Sequence, residues 1–280
     1  MRLPLATLRN HVTTYNELAD DANWNRFKSV PWPEIRPDLL TEGQKQAVVF
    51  VTHVEDYTPG YCAEYAALFP VNSPCQEEAM HNRELFHFVS RWGLEEDRHA
   101  QALALYQVHA EIEPDWDRLS EQMIIESQKE FLVGYKGLLQ VCTYAFLQEK
   151  ATQLYYQSLA RHVAEPVLVK LLHFLTRDES RHFVFFSNII GSYFDHFGLD
   201  CLPLVEEVAT HYRMPLHNTM TDYRRRAIRM AREAPGYDRF LPIRILFRFL
   251  GQLGEQHPEW QSDLEAGILR MKTRLRIDSL

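Results

Sequence analysis

Two short segments of this chain, Glu95-Glu96-Asp97-Arg98-His99 and Asp178-Glu179-Ser180-Arg181-His182, repeat one pattern: two acidic residues, a spacer, then Arg-His. Residues i and i+3 of an α-helix share a face, so Glu96 with His99, and Glu179 with His182, each set a carboxylate beside an imidazole. Two such edges predict a site for two metal ions. The same spacing occurs at Glu78/His81 and Glu84/His87, and a chain with thirteen histidines produces such pairs by chance. The surroundings separate them. Leu85, Val89, Trp92, Glu96, His99, Leu103 and Tyr106 recur at helical spacing, as do Leu168, Leu172, Leu175, Glu179, His182 and Phe186, and each apolar stripe is interrupted only by its ligand pair. Glu84 and His87 lie twelve residues before Glu96 and His99, a rotation of roughly 120° off that stripe, and are expected in solvent. Glu78 and His81 follow Pro74 closely, near a helix start.

A single histidine on an apolar face is usually a core residue with its hydrogen bonds met. Two matched units change that balance, because an uncompensated buried carboxylate costs several kcal/mol against a total stability of about 5–15 kcal/mol. Metal cations are the natural partners. A two-metal site in a helical bundle takes one further glutamate from each of the two remaining core helices. Leu138, Cys142, Ala145, Glu149, Thr152 and Tyr156 step along one face on which Glu149 is the only charge. Val48, Val51 or Thr52, and Glu55 share a face shortly before Pro59, where a helix must end or kink. Four carboxylates carry about four negative charges, which two divalent cations neutralise. Oxygen ligands with two imidazoles suit iron or manganese. Cys62, Cys75, Cys142 and Cys201 are scattered and offer no thiolate cluster for zinc or an iron–sulfur centre.

The elements that must hold these residues are helical. The pattern predicts an all-α fold, a ferritin-like four-helix bundle core with additional C-terminal helices, built as a single domain over 1–280. Residues 1–40 are expected to be irregular, because Pro31, Pro33 and Pro37 break any helix there, with Trp24 and Trp32 covering the bundle. Helices are expected over about 42–57, 76–110, 117–160 (bent near Gly134 and Gly137), 165–195, 202–232 and 241–271. A helix with one Glu followed by a helix with Glu-x-Arg-His occurs twice, as 55/96 and 149/179, which implies pseudo-twofold halves. Unpaired cysteines and the lack of a signal peptide point to the cytoplasm. No apolar run reaches membrane-spanning length, since Lys136 interrupts Phe131–Leu147 and Glu149 follows it.

On these residues the chain resembles the soluble acyl-carrier-protein desaturases, the type 2 fatty acid desaturase family, whose signature pair is E-E-x-R-H and D-E-x-R-H. Gln148-Glu149-Lys150-Ala151-Thr152 is similar to that family's Q-E-R-A-T segment, with Lys for Arg. The likeness covers roughly Trp24 to Ile190, at a length like the shorter bacterial members and with no plastid-type leader expected. It implies two iron ions per chain held by Glu55, Glu96, His99, Glu149, Glu179 and His182. It also implies that Thr152 lies beside the oxygen-binding face to assist proton delivery. Trp24, His99 and Asp178 would form a hydrogen-bonded electron route, with Trp32 the alternative to Trp24. His53-Val54-Glu55-Asp56-Tyr57-Thr58-Pro59 keeps only the Glu and Pro of the family's first helix, and nothing beyond about residue 200 is similar to the family.

Removing hydrogen from an unactivated methylene needs an oxidant stronger than any side chain, so metal and O2 must supply it. The expected reaction is insertion of a double bond into an acyl chain on acyl carrier protein. With no Gly-rich dinucleotide fingerprint and no cysteine cluster, electrons must come from a ferredoxin-like donor. The chain has a net charge of −8, yet Arg224, Arg225, Arg226, Arg229 and Arg232 crowd one segment that could dock an acidic carrier, although a solvated helix face is the simpler explanation of them. No aromatic-interleaved basic surface points to nucleic acid. The resemblance also implies a homodimer. Competing readings on the same ligands are a di-iron C-hydroxylase or N-oxygenase and an iron-handling ferroxidase; a helical interaction protein without catalysis fits the ligand set least.

Overall fold

The computed structural model describes residues 1–277, which are α-helical with short 3-10 turns and, among the described residues, no strand. The all-α expectation holds. The first correction lies at the N-terminus, where Leu5–Asp21 is a helix, α1. Leu8, Val12, Tyr15 and Ala19 recur on its buried face. Pro31, Pro33 and Pro37 fall after this helix has ended and cannot break it, while Pro4 stands just ahead of it, where a missing N–H is no loss. The chain then runs through 3-10 turns at Trp32–Glu34 and Pro37–Leu39 into α2, Glu42–Glu55. A capping box starts α2: Thr41 Oγ1 accepts from Gln44 N and Gln44 Oε1 accepts from Thr41 N.

α2 ends on Glu55, and a separate helix, α3 (Thr58–Leu68), opens with Pro59 in its first turn. α4 spans Gln76–His109, close to its expected bounds. The single helix expected over 117–160 is two, α5 (Trp116–Ser127) and α6 (Leu138–Ala160). Between them the chain is irregular, and backbone groups of Phe131 and Val133 are met by α3 and the turn before it. Tyr57 Oη donates to Phe131 O and accepts from Phe131 N, and Glu64 accepts from Val133 N. Gly134 at φ 84° supplies a conformation that a continued helix could not use. α7 runs over Pro166–Phe197, with Glu165 capping Val167 N and Leu168 N while also accepting from Tyr106 of α4 at 2.6 Å.

The expected helices 202–232 and 241–271 are likewise split, into α8 (Leu202–His211), α9 (Tyr223–Arg232), α10 (Leu241–Gln256) and α11 (Gln261–Leu275). Pro215 and Pro258 interrupt the helical ladder between the members of each pair. Residues 278–280 of the expected domain lie outside the described residues.

Packing follows the internal repeat: α2 lies on α4, α6 lies on α7, and α4 meets α7 where the two pairs join. α1 covers α4 and α7, α9 lies along α2, and α8 and α10 pack on α6. The shared core is lined by large fully buried side chains, among them Tyr106, Phe146, Tyr156, Phe186 and Phe194. No described helix is long and apolar enough to cross a membrane.

Candidate metal centre

The four core helices bring their acidic residues to one place. Glu55, Glu96, His99 and Glu179 form one buried group and Glu96, Glu149, Glu179 and His182 another, with the donor atoms of each group within 4.8 Å of one another. Glu96 and Glu179 belong to both, so two centres share two carboxylates. His99 Nδ1 lies 3.4 Å from Glu179 Oε1 and 3.7 Å from Glu55 Oε2. His182 Nδ1 lies 2.8 Å from Glu96 Oε1, 3.3 Å from Glu149 Oε2 and 3.8 Å from Glu179 Oε2. His99 Nδ1, Glu179 Oε1 and Glu96 Oε1 are nonetheless buried without a hydrogen bond. Lone pairs that converge yet do not bond one another fit two cations between them, and the oxygen and imidazole donors fit iron or manganese.

The two unshared carboxylates are each oriented by a buried aromatic donor from another helix. Tyr156 Oη donates to Glu55 Oε1, and Trp92 Nε1 donates to Glu149 Oε1 at 3.3 Å. The remaining positions of the repeated motif have a crossed arrangement. Asp178 on α7 accepts from His99 Nε2 of α4 at 3.1 Å, and Glu95 on α4 accepts from His182 Nε2 of α7 at 3.0 Å. Arg98 of α4 reaches Asp178 at 2.8 Å, and Arg181 of α7 reaches Glu95 at 2.7 Å and Asp178 at 2.9 Å. The first acid of each motif therefore holds the histidine of the other helix, and the arginines neutralise those acids. Sequence reasoning passed over Glu95, Arg98 and Arg181. Their signal was available, because an acid before the ligand Glu and an Arg before the ligand His occur in both copies.

Burial pushes the Glu96 carboxyl up, with Glu149 and Glu55 adding to it, to about 8. Glu179 is raised in the same way by burial and by Glu96 and Glu149. Burial alone would lower both histidines, but the surrounding carboxylates of Asp178, Glu179 and Glu55 hold His99 well above its usual range. Tyr15, Glu149, Glu179 and Glu95 do the same for His182. Metal ligation needs the opposite forms, neutral imidazole and ionised carboxylate, so metals compete here with protons. Ferrous uptake is expected to release protons and to tighten steadily between about pH 6 and 8. Calorimetry in two buffers of different ionisation enthalpy measures that release, and heats independent of buffer would contradict it.

The other predicted residues fall as follows. Trp24 Nε1 donates to Asp178 Oδ2 at 2.7 Å, and its ring stacks on Phe174 at 4.9 Å. Trp32 instead donates to Arg26 O and stacks on His109. Thr152 Oγ1 donates back to Gln148 O of its own helix at 3.1 Å. Glu84 is half-buried and bonded to Arg9, His87 is exposed, and His81 is buried outside the cluster. Of the five α9 arginines, Arg224, Arg225, Arg229 and Arg232 are exposed. Arg226 turns inward, 2.6 Å from His53 Nδ1 and 3.3 Å from Glu126, and so leaves the outer face.

A helical bundle with two buried groups of carboxylates and histidines that share Glu96 and Glu179 defines the class. Residues 34–234 match the model of the type 2 family described as fatty acid desaturase, and the chain belongs to that family. It is 22% identical over 231 residues to a Mycobacterium tuberculosis protein provisionally named acyl-acyl-carrier-protein desaturase DesA1, covering 74% of this chain and 64% of that one. DesA2 of the same organism, named likewise, is 29% identical over 133 residues, 42% of this chain and 46% of the relative. The crystal structure of DesA2 from strain H37Rv superposes with a TM-score of 0.57 at 18% identity, over 95% of this chain and 98% of that one, and supports a ferritin-like helical fold.

Proposed function

We propose that this protein is an O2-dependent di-iron desaturase that introduces a double bond into an acyl chain carried on acyl carrier protein. The observation that carries the reading is the complete set of four carboxylates and two imidazoles, buried among apolar and aromatic side chains. Two iron ions held by Glu55, Glu96, His99, Glu149, Glu179 and His182 would supply, with O2, an oxidant able to break unactivated C–H bonds. The chain's own part is to hold those ligands, exclude water and place the alkyl group. An apolar cavity of about 200 Å³ opens between α3 and α4, lined by Cys62, Tyr65, Phe69, Leu85, Val89 and Gly93. The Tyr65 and Trp92 rings lie 5.8 Å apart, so one aromatic layer separates this cavity from Glu149. Such a lining suits a hydrocarbon and not a hydrated ion, which favours desaturation over iron handling.

Trp24, Asp178 and His99 make a continuous hydrogen-bonded line from the α1 side of the bundle to a ligand, and we assign it the delivery of electrons from a ferredoxin-like donor. Arg224, Arg225, Arg229 and Arg232 give α9 a basic outer face for an acidic carrier. Thr152 is assigned to proton delivery, on the resemblance alone. A single-domain, homodimeric and cytoplasmic protein goes with this reading. Iron-loaded protein supplied with acyl carrier substrate, ferredoxin, reductant and O2 tests it by product mass. Loss of two hydrogens supports desaturation. Gain of one oxygen would replace it with an oxygenase, and many irons per chain without product would replace it with iron handling.

A further inference from the structure

We infer that Tyr15, on the N-terminal helix, is a positioning residue for the metal site of His182, acting through Glu95. The inference rests on the two-metal part of the reading above, and Tyr15 itself lies outside the 34–234 match to the family.

Tyr15 Oη donates to Glu95 Oε2 at 2.7 Å, and His182 Nε2 meets the same oxygen at 3.0 Å. Glu95 Oε1 is taken by Arg181 at 2.7 Å, so both oxygens of this fully buried carboxylate are held. His182 can offer the Nδ1 lone pair to a metal only if its proton sits on Nε2, and Glu95 is the acceptor for that proton. Tyr15, Arg181 and His182 all aim donors at Glu95, which is therefore their common acceptor. The imidazole's aim at Glu96, Glu149 and Glu179 therefore depends on where Glu95 Oε2 points. Tyr15 fixes that atom from the side opposite Arg181.

The other half of the site is built alike, with Trp24 donating to Asp178 where Tyr15 donates to Glu95. The N-terminal segment thus supplies one aromatic donor to each brace. The Tyr15 ring is held independently of its hydroxyl, packed edge-on against Phe88 at 4.9 Å and Phe185 at 5.3 Å. Tyr15→Phe accordingly removes the hydrogen bond and keeps the packing.

The test is anaerobic titration of the full chain with ferrous ion alone, followed by calorimetry, beside the melting temperature of the metal-free protein. Wild type should bind about two equivalents. Tyr15→Phe should leave one equivalent unchanged and weaken the other by about 10–100-fold, with little change in metal-free melting. Glu95→Gln should weaken the same equivalent, and adding Tyr15→Phe to it should do nothing more. Unchanged affinities in Tyr15→Phe would overturn the inference while leaving the two-metal reading intact. Parallel weakening of both equivalents with a fall in metal-free melting would overturn it in favour of a purely structural role for α1. Wild type that binds no ferrous ion would overturn both.

Discussion

Glu179→Ala is expected to abolish binding of both metals, an effect matched only at Glu96, the other carboxylate common to both groups. Glu179 is shared by both ligand groups, with Oε1 facing His99 Nδ1 and Oε2 facing His182 Nδ1. Glu149 and His182 belong to one group only, so their alanine variants should lose one metal and weaken the other. The metal-free protein should respond in the opposite sense. Four buried carboxylates held in part by protonation cost stability when no cation is present, so removing one should leave metal-free melting unchanged or raised. What should disappear is the rise in melting temperature on adding ferrous ion. Iron content after anaerobic loading and desalting decides the matter: about two per wild-type chain against almost none in Glu179→Ala. Two irons retained in the variant would mean that Glu179 is not a bridge.

The largest effect on folding is expected from Arg181→Met. The guanidinium spans Glu95 and Asp178, both fully buried, and the two other guanidinium groups near Glu95 are already committed elsewhere, Arg91 at 3.5 Å to Asp20 and Arg98 at 3.6 Å to Asp178. Breaking a buried ion pair by removing one partner costs about 3–5 kcal/mol, because the other charge is left uncompensated. The pH dependence has a definite sign. Against the upward push of burial, His182 and Arg181 depress Glu95, and His99 and Arg181 depress Asp178. Groups with lowered folded-state values stabilise above their unfolded value, about 4, and lose that contribution as the pH falls through the folded one. The gap between wild type and variant should thus be full at pH 7 and shrink below about pH 4. Urea unfolding of metal-free protein at both values measures it, with Arg181→Lys intermediate because it keeps charge but not the fork geometry. A gap under about 1 kcal/mol at pH 7 would show that the two acids are compensated elsewhere.

The residues of the buried cluster were legible because each Glu-x-x-His spacing belongs to one helix. A period of 3.6 residues places Glu96 beside His99 wherever α4 lies, and the flanking apolar stripe tells a buried edge from a solvated one. Glu149 was legible as the only charge on the buried face of α6. Helices α4 and α7 were read within a few residues because their apolar stripes run unbroken for many turns. The N-terminal helix was lost because prolines downstream of it were allowed to speak for the whole segment. The break at 128–137 was lost because its apolar residues read as helix, and what keeps it irregular is the pairing of Tyr57 and Glu64 with its backbone.

The sequence by itself determined the donor set, its charge and the helices that carry it, all consequences of local periodicity. Only the tertiary structure decided that Glu95 and Asp178 cross over to hold the histidines of the opposite helix. It also decided that Arg98 and Arg181 compensate those acids, and that α1 and the segment just after it deliver Tyr15 and Trp24 to them. The pairings across the bundle span 79 to 154 positions in the chain and depend on how closely α1, α4 and α7 approach. An acidic residue one step from a ligand has the same local pattern whether it faces water or another helix, and packing alone distinguishes the two.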